Sequence, residues 1–468
     1  MIKLKLRVTA IAFTGAMLCS CAVGPDYQRP ALDAAPNYKE AADWKPSEPN
    51  DILSRGPWWK IYNDDALNTL EDQVNISNQN IKAAAAAFEQ SRALVAQARA
   101  GLWPSISAFF QAQRGAQATL PVSHTSYSAG ISGNWDVDIW GGIRRNVESN
   151  RASAQASSAA LAAARLSAQA ELALDYFELR AADQNQTLLD NTVAAETQSL
   201  KIAESRYKFG VAARADVVSA EAQLLSSQSQ QVNAKIQRAV LEHAIAVLIG
   251  QQPATFSLAT APIRTDVPTV PAGVPSTLLE RRPDVAQAER KMAAANAQIG
   301  VAKAAYFPSL TLAGQDEYAG TSLGHLIQAS NRLWSFGPEL AETLFDAGLR
   351  RAQVAQARAA YEASVDNYRQ TVLTSFEQVE DDVVTLRVLE QQSGIEDAAV
   401  RAAREAETLT LNQYKAGTVP YSSVITAQTT RFAAEETALA VLSSRLQGSV
   451  NLIEALGGGW DQSMASDK

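Results

Sequence analysis

The sequence predicts an α+β membrane protein whose chain supplies two very long helical hairpins and four β-strands. Three observations carry this. The chain is two copies of one plan, each about 200 residues long. Each copy holds a stretch almost free of helix breakers: Ile143 to Phe209, 67 residues without Gly or Pro, and Leu349 to Ala416, 68 residues with Gly394 alone. Each copy also holds a pair of alternating segments that read as strands, and four strands cannot close a transmembrane barrel by themselves.

The duplication is direct. Val95-Ala-Gln-Ala-Arg-Ala-Gly-Leu-Trp-Pro-Ser-Ile106 matches Ile299-Gly-Val-Ala-Lys-Ala-Ala-Tyr-Phe-Pro-Ser-Leu310, Gly142-Ile-Arg-Arg145 matches Gly348-Leu-Arg-Arg351, and Tyr207-Lys-Phe-Gly210 matches Tyr414-Lys-Ala-Gly417, at offsets of 204, 206 and 207 residues. The order is kept and the insertions are small.

Residues 1–20 read as a lipoprotein signal peptide. Lys3, Lys5 and Arg7 give a positive start, Val8 to Leu18 a short apolar core, and Leu18-Cys19-Ser20-Cys21 follows. This resembles the bacterial lipobox, which makes Cys21 the acylated first residue of the mature chain. Ala22 follows it, not the Asp of an inner-membrane retention signal, so the expected address is the outer membrane. Once Cys19 leaves with the signal, disulfides play no part. Residues 21–64 form an N-terminal anchored segment carrying Trp58-Trp59, read as packing residues.

The first repeat, 65–260, opens with a helix from about Asp65 to Trp103, stopped by Pro104. Strands follow within 105–138: Tyr127, Ala129, Ile131, Trp135 and Val137 face one way, and Ser128, Ser132, Asn134, Asp136 and Asp138 the other. Trp135, Trp140 and Trp334 are candidates for an aromatic girdle. The hairpin 143–249 turns at Gly210. The second repeat, 261–460, gives a helix over 283–307, strands within 308–343 and a hairpin over 349–456 that turns at Gly417; 461–468 is a tail. Ala-rich runs suit close helix packing, and no strict a/d heptad is sustained. The strands require several chains: two would give eight strands and a filled interior, three would give twelve and room for a lumen.

Bulk properties exclude other classes. A net charge of −8 argues against nucleic acid. His124, His243 and His325 stand alone, with no metal-ligand spacing and no phosphate loop or nucleophile elbow nearby, so no cofactor, metal site or enzymatic activity is expected beyond the lipid on Cys21. Asp381-Asp382 are adjacent on a helix, where side chains diverge. A periplasmic adaptor lipoprotein would need one hairpin, not two.

Cys21-Ala-Val-Gly-Pro-Asp-Tyr-Gln-Arg-Pro30, Leu279-Glu-Arg-Arg-Pro-Asp-Val285, Ala304-Ala-Tyr-Phe-Pro-Ser-Leu310, Phe345-Asp-Ala-Gly348 and Ala455-Leu-Gly-Gly-Gly-Trp460 resemble the TolC-like outer-membrane factors, in the NodT/OprM lipoprotein branch. The resemblance implies a homotrimer with a 12-stranded transmembrane β-barrel continued by a long periplasmic α-helical barrel. It implies a passive exit duct for small molecules such as drugs or metal ions, docked to a periplasmic adaptor and an inner-membrane pump of the RND type. A type I protein-secretion channel is the alternative. It also implies a gate at the two hairpin turns, with Tyr414 helping to hold it closed and Asp216 able to form a carboxylate ring. Thr426 and Val419 stand where charged residues are expected, so a differently built closure is anticipated.

Overall fold

The computed structural model describes residues 22–30, 39, 57–117, 120–270 and 282–458. The signal peptide, Cys21 and the 461–468 tail lie outside the described residues. A 3-10 turn at Trp58–Tyr62 precedes α1 (Asp65–Ser77) and α2 (Gln79–Ala100). Then come β1 (Ser105–Gln117), β2 (Leu120–Val137), α3 (Gly142–Lys208), α4 (Arg214–Leu248), α5 (Pro283–Ala304), β3 (Ser309–Gly320), β4 (Arg332–Ala341), α6 (Leu349–Ala416) and α7 (Tyr421–Ala455). At 1.5 Å per residue, α3 and α6 each extend roughly 100 Å.

The helix expected over 65–103 is two helices. Asn78 interrupts it in an extended conformation, and its Oδ1 accepts from the backbone N–H groups of Asn80 and Ile81 at 2.9 and 3.1 Å, an N-cap inside an otherwise helical run. Its Nδ2 donates to the Leu248 carbonyl at 2.8 Å, so one side chain starts α2 and covers the end of α4. Replacing Asn78 by Ala removes both and is expected to lower stability by about 1–2 kcal/mol in thermal unfolding.

The chain divides into two compact units. One contains residues 86–158 and 287–370 with the N-terminal segment. Its four strands pair antiparallel in the order β1-β2-β3-β4, leaving β1 and β4 as open edges. The register (Ile106 opposite Gly133, Trp135 opposite Leu312, Leu312 opposite Pro338) sorts the side chains by face. Ile106, Phe110, Ile131, Trp135, Leu310, Trp334, Phe336 and Leu340 share one face. Ser107, Gln111, Ser128, Ser132, Asn134, Asp136, Thr311, Gln315, Glu317 and Glu339 share the other. Phe109 and Leu333 break the polar face. On the apolar face, Trp334 and Phe336 are each more than two-thirds exposed in the single chain. From Leu340 to Arg332 this face spans about 26 Å along the strand. Its far end carries Tyr318 and a bidentate Arg332–Asp316 pair at 2.8 and 2.9 Å.

The strand-to-helix junction is built twice. Asp138 accepts from the N–H groups of Ile143 and Arg144, both at 2.9 Å, and binds the Arg144 side chain at 3.1 Å. Asp346 accepts from Gly348 and Arg350 N–H at 2.9 and 3.2 Å and binds the Arg350 side chain at 2.7 Å. A carboxylate at a helix N-terminus is favoured by the dipole and the unpaired N–H groups, which is why the repeated Gly-x-Arg-Arg starts each long helix. Trp140 stacks on Phe307 at 4.6 Å and donates to the Pro308 carbonyl at 2.7 Å.

The N-terminal segment lies along this unit. Val23 N–H donates to the Trp140 carbonyl at 3.0 Å, and Arg145 holds Asp26 at 2.7 Å and the Val23 carbonyl at 3.3 Å. The contact leaves no room for side chains. A Cβ on Gly141 would meet Ala22 at 2.7 Å, and one on Gly24 would meet the Gly300 backbone at 2.5 Å.

The second unit holds residues 33–85, 159–286 and 371–468. Its core centres on Trp58, Trp59 and Tyr62, all buried, with the Tyr62 ring 4.8 Å from Phe177 and its hydroxyl 2.7 Å from Ser449. Leu172, Leu179, Ile245, Val379, Val383, Leu446 and Ile453 complete it. The two tryptophans therefore pack, as read. Glu71 is fully buried and neither carboxylate oxygen has a partner; burial raises its pKa well above the usual range.

A cavity of about 390 Å³ in this unit is lined by Arg282, Gln378, Asp381, Asp382, Asn451, Glu454 and Ala455. Burial, then Asp381 and Glu454, push the Asp382 carboxyl up to about 7, against the opposing charge of Arg282. The folded chain thus holds this proton more tightly than the unfolded chain between about pH 4 and pH 7. This contribution is full at the acid end and is lost as pH rises through 7. Asp382→Asn is expected to flatten the fall in melting temperature across that window.

Outside the buried core the long helices carry a second apolar face. On α4, Val218, Leu225, Val232, Ile236, Val240 and Val247 are all more than half exposed. At 3.6 residues per turn they lie roughly opposite buried Ala220, Leu224 and Ser227. On α6, Leu373, Val388, Ile395 and Leu409 are likewise exposed, on a different side of the helix from buried Val372, Val379, Val383 and Leu386. Their near-heptad spacing was hidden in the sequence because each helix alternates two apolar faces.

Candidate functional site

The two hairpin turns bring together the residues the sequence singled out, with one exception. α3 ends at Gly210 (φ 72°), where Val211 N–H donates to the Arg206 carbonyl at 2.9 Å. α6 ends at Gly417 (φ 79°), where Thr418 N–H donates to the Gln413 carbonyl at 3.0 Å. Both are left-handed glycine stops, which a residue with a Cβ resists.

Tyr414 sits in the last turn of α6 and is only 2% exposed. It joins Ala203 of α3, Ala220 of α4 and Tyr421 and Val424 of α7 in a small apolar cluster, with Leu411, Val217, Val419 and Ile425 around it. Its ring meets that of Tyr421 edge-on at 5.2 Å. Arg206 reaches across from α3. Its guanidinium lies 4.8 Å from the Tyr414 ring centroid, and Nη1 donates to the carbonyls of Tyr414 and Lys415 at 2.7 and 2.8 Å. The Tyr414 hydroxyl is buried without a hydrogen-bond partner. Burial, and then the negative charge of Asp216, raise its pKa, while Arg206 lowers it. Burial, followed by Glu196, pushes Tyr421 up to about 12.

Asp216 stands in the first turn of α4, half-buried and within electrostatic reach of both tyrosines. Thr426 is not in the cluster. It is exposed, and its hydroxyl donates to the Ser422 carbonyl one turn back at 3.0 Å. Val419 contributes an apolar contact at the position where the resemblance led to a charge.

A polar layer follows. Glu196 and Gln428 are both buried; Gln223 donates to Glu196 at 3.0 Å and Gln428 donates to Ser199 at 3.0 Å. Burial raises the Glu196 pKa. Beyond it, Arg431 of α7 binds Glu407 of α6 at 2.6 Å and Glu435 at 2.7 Å, and Arg404 binds Glu435 at 2.6 Å. Arg206, Glu196 and Arg431 were missed in the sequence. Arg206 had a signal, since it directly precedes the repeated Tyr-Lys-x-Gly. Glu196 had none, because its partner Gln223 lies on another helix, and Arg431 showed only its i,i+4 pair with Glu435, with Glu407 hidden on α6. Nothing in these layers assembles a nucleophile with a base or a metal-ligand set, and no group of three or more His, Cys, Asp or Glu able to hold a metal occurs among the described residues.

Known proteins place this arrangement. The sequence profile of the family described as outer membrane efflux protein matches residues 70–251 and again 274–458. The toluene efflux pump outer membrane protein TtgC of Pseudomonas putida is 28% identical over 464 residues, covering 96% of this chain and 95% of that one. The cation efflux system protein CusC of Escherichia coli is 26% identical over 461 residues, covering 97% and 98%. The solved structure of the outer-membrane channel OprN matches with a TM-score of 0.88 at 29% identity, covering 94% of this chain and 100% of that one. With the profile falling once on each sequence repeat and the likeness running the length of the chain, this protein belongs to the outer membrane efflux protein family, the outer-membrane components of efflux pumps.

Proposed function

We propose that three copies of this chain close a 12-stranded barrel in the outer membrane, and that their helical hairpins line a passive duct reaching into the periplasm. The sheet carries this reading. It has two open edges and one apolar face long enough for the bilayer core. An open edge cannot lie in lipid, so β1 of one copy pairs with β4 of the next, leaving Gln111, Asn134, Gln315 and Glu339 towards a wet lumen. The exposed stripes of α4 and α6 supply apolar surface for the same neighbours.

The duct accepts small molecules, with drugs and metal ions as the cargo classes suggested by the relatives, from an inner-membrane RND-type pump through a periplasmic adaptor. It performs no chemistry and holds no cofactor. Cys21 carries the lipid: the residues that follow it are fixed beside Trp140, at the sheet–helix junction, which suits an anchor at the inner rim of the membrane. Tyr414 and Asp216 belong to the gate.

Paired cysteines placed on facing positions of β1 and β4 are expected to cross-link in cells into a ladder that ends at three chains. A ladder ending at two, or running on without limit, would refute the closed trimer. Metabolic labelling with palmitate is expected to mark the wild-type chain and not the Cys21→Ser variant.

A further inference from the structure

The two turns are copies in sequence and opposites in structure. Tyr207 and Tyr414 occupy equivalent repeat positions, yet Tyr207 is 47% exposed and Tyr414 is 2% exposed. The residue before each differs: Arg206 in the first repeat, Gln413 in the second. Gln413 is exposed and uses its backbone carbonyl to accept from Thr418. Arg206 crosses to the other hairpin.

Its contacts are of two kinds. Nη1 donates to the carbonyls of Tyr414, which also accepts from the Gly417 N–H at 2.9 Å, and of Lys415, in the last turn of α6, where the dipole favours a cation. The guanidinium carbon also lies over the Tyr414 ring, 4.8 Å from its centroid. Among the described residues no carboxylate lies within ion-pairing distance of Arg206, so its charge is committed to these carbonyls and this ring. The Tyr414 hydroxyl contributes no hydrogen bond.

We propose that Arg206 is the latch of the duct: it holds the α6–α7 turn against α3 and sets the resting aperture, acting through the backbone and ring face of Tyr414 and not through the Tyr414 hydroxyl. This rests on the duct reading above. Lysine reproduces it only in part: an ammonium can donate to both carbonyls from one nitrogen, as Nη1 does, but it lacks the flat, delocalised group that lies over the ring.

Single-channel conductance of the purified full-length assembly in planar bilayers tests the latch. Arg206→Ala is expected to raise conductance or open fraction by about twofold or more, with Arg206→Lys in between. Tyr414→Phe is expected to match wild type, and Tyr414→Ala to match Arg206→Ala. Oligomer size on gels and the melting temperature of the Trp58 core report whether each variant is assembled; if Arg206→Ala fails there, Arg206→Gln and Arg206→Lys carry the test. A conducting wild type with unaltered conductance in assembled Arg206 variants overturns the latch alone. So does a Tyr414→Phe channel that opens as wide as Arg206→Ala. Absence of current from every assembled variant overturns the duct reading, and the latch with it.

Discussion

Asp183→Ala is expected to cost about 3–5 kcal/mol of stability, the scale for removing one partner of a buried ionic network. Asp183 is 1% exposed on α3 and serves three donors: Arg180 at 3.0 Å, Arg238 of α4 at 2.7 Å and the Ala261 N–H at 3.2 Å. The two arginines in turn hold the segment that follows α4. Arg180 donates to the Ala259 carbonyl at 2.7 Å and Arg238 to the Leu258 carbonyl at 2.6 Å. Without the carboxylate, Arg180 is left buried with no counter-charge, and Arg238 keeps only Glu242 at 3.3 Å. Thermal unfolding of the purified protein measures the loss. Asp183→Asn keeps acceptor capacity but not charge, and should fall between. The combined Arg180→Met, Asp183→Leu and Arg238→Met variant tests the cause. If uncompensated charge is the damage, it recovers much of the stability lost in Asp183→Ala; if it is less stable than Asp183→Ala, packing of the arginine stems is what matters.

That network shows where the sequence was legible and where it was not. Features set by local pattern could be read directly: the helix stops at Gly210 and Gly417, the alternation of Tyr127 to Val137, and the duplicated Gly-x-Arg-Arg. Each depends on neighbours within a turn or a strand. Asn78 was local too, but its capping competes with strong flanking helix propensity, and a single side chain reaching Leu248 decided it. Asp183 and Arg238, and likewise Glu196 and Gln223, are ordinary polar residues on amphipathic helices until the hairpin places them together. The cluster at the hairpin turns was half legible. The repeat located the turns and the family resemblance singled out Tyr414, whereas the Arg206 contacts depend on how one hairpin meets the other. Thr426, chosen because it replaces an expected charge, turned out to bond its own helix.

The second large effect concerns assembly. Leu225→Glu combined with Val232→Glu is expected to abolish the proposed trimer while leaving each chain folded. Both side chains lie on the stripe of α4 that is left exposed among the described residues, so the folded chain alone loses little. In the trimer they would be buried against the neighbouring copy. Losing two such side chains removes about 3–6 kcal/mol of burial per chain, and placing carboxylates there adds their desolvation. Because every copy contributes the stripe once, the penalty is felt three times in a closed ring. Gln230→Glu is the control: it adds a carboxylate to an exposed side of α4 away from the stripe. Light scattering of the detergent-solubilised protein is expected to show three copies for wild type and Gln230→Glu, and one for the double variant. A double variant that stays trimeric would mean that the sheet edges alone hold the ring, and that the α4 stripe faces something other than a second copy.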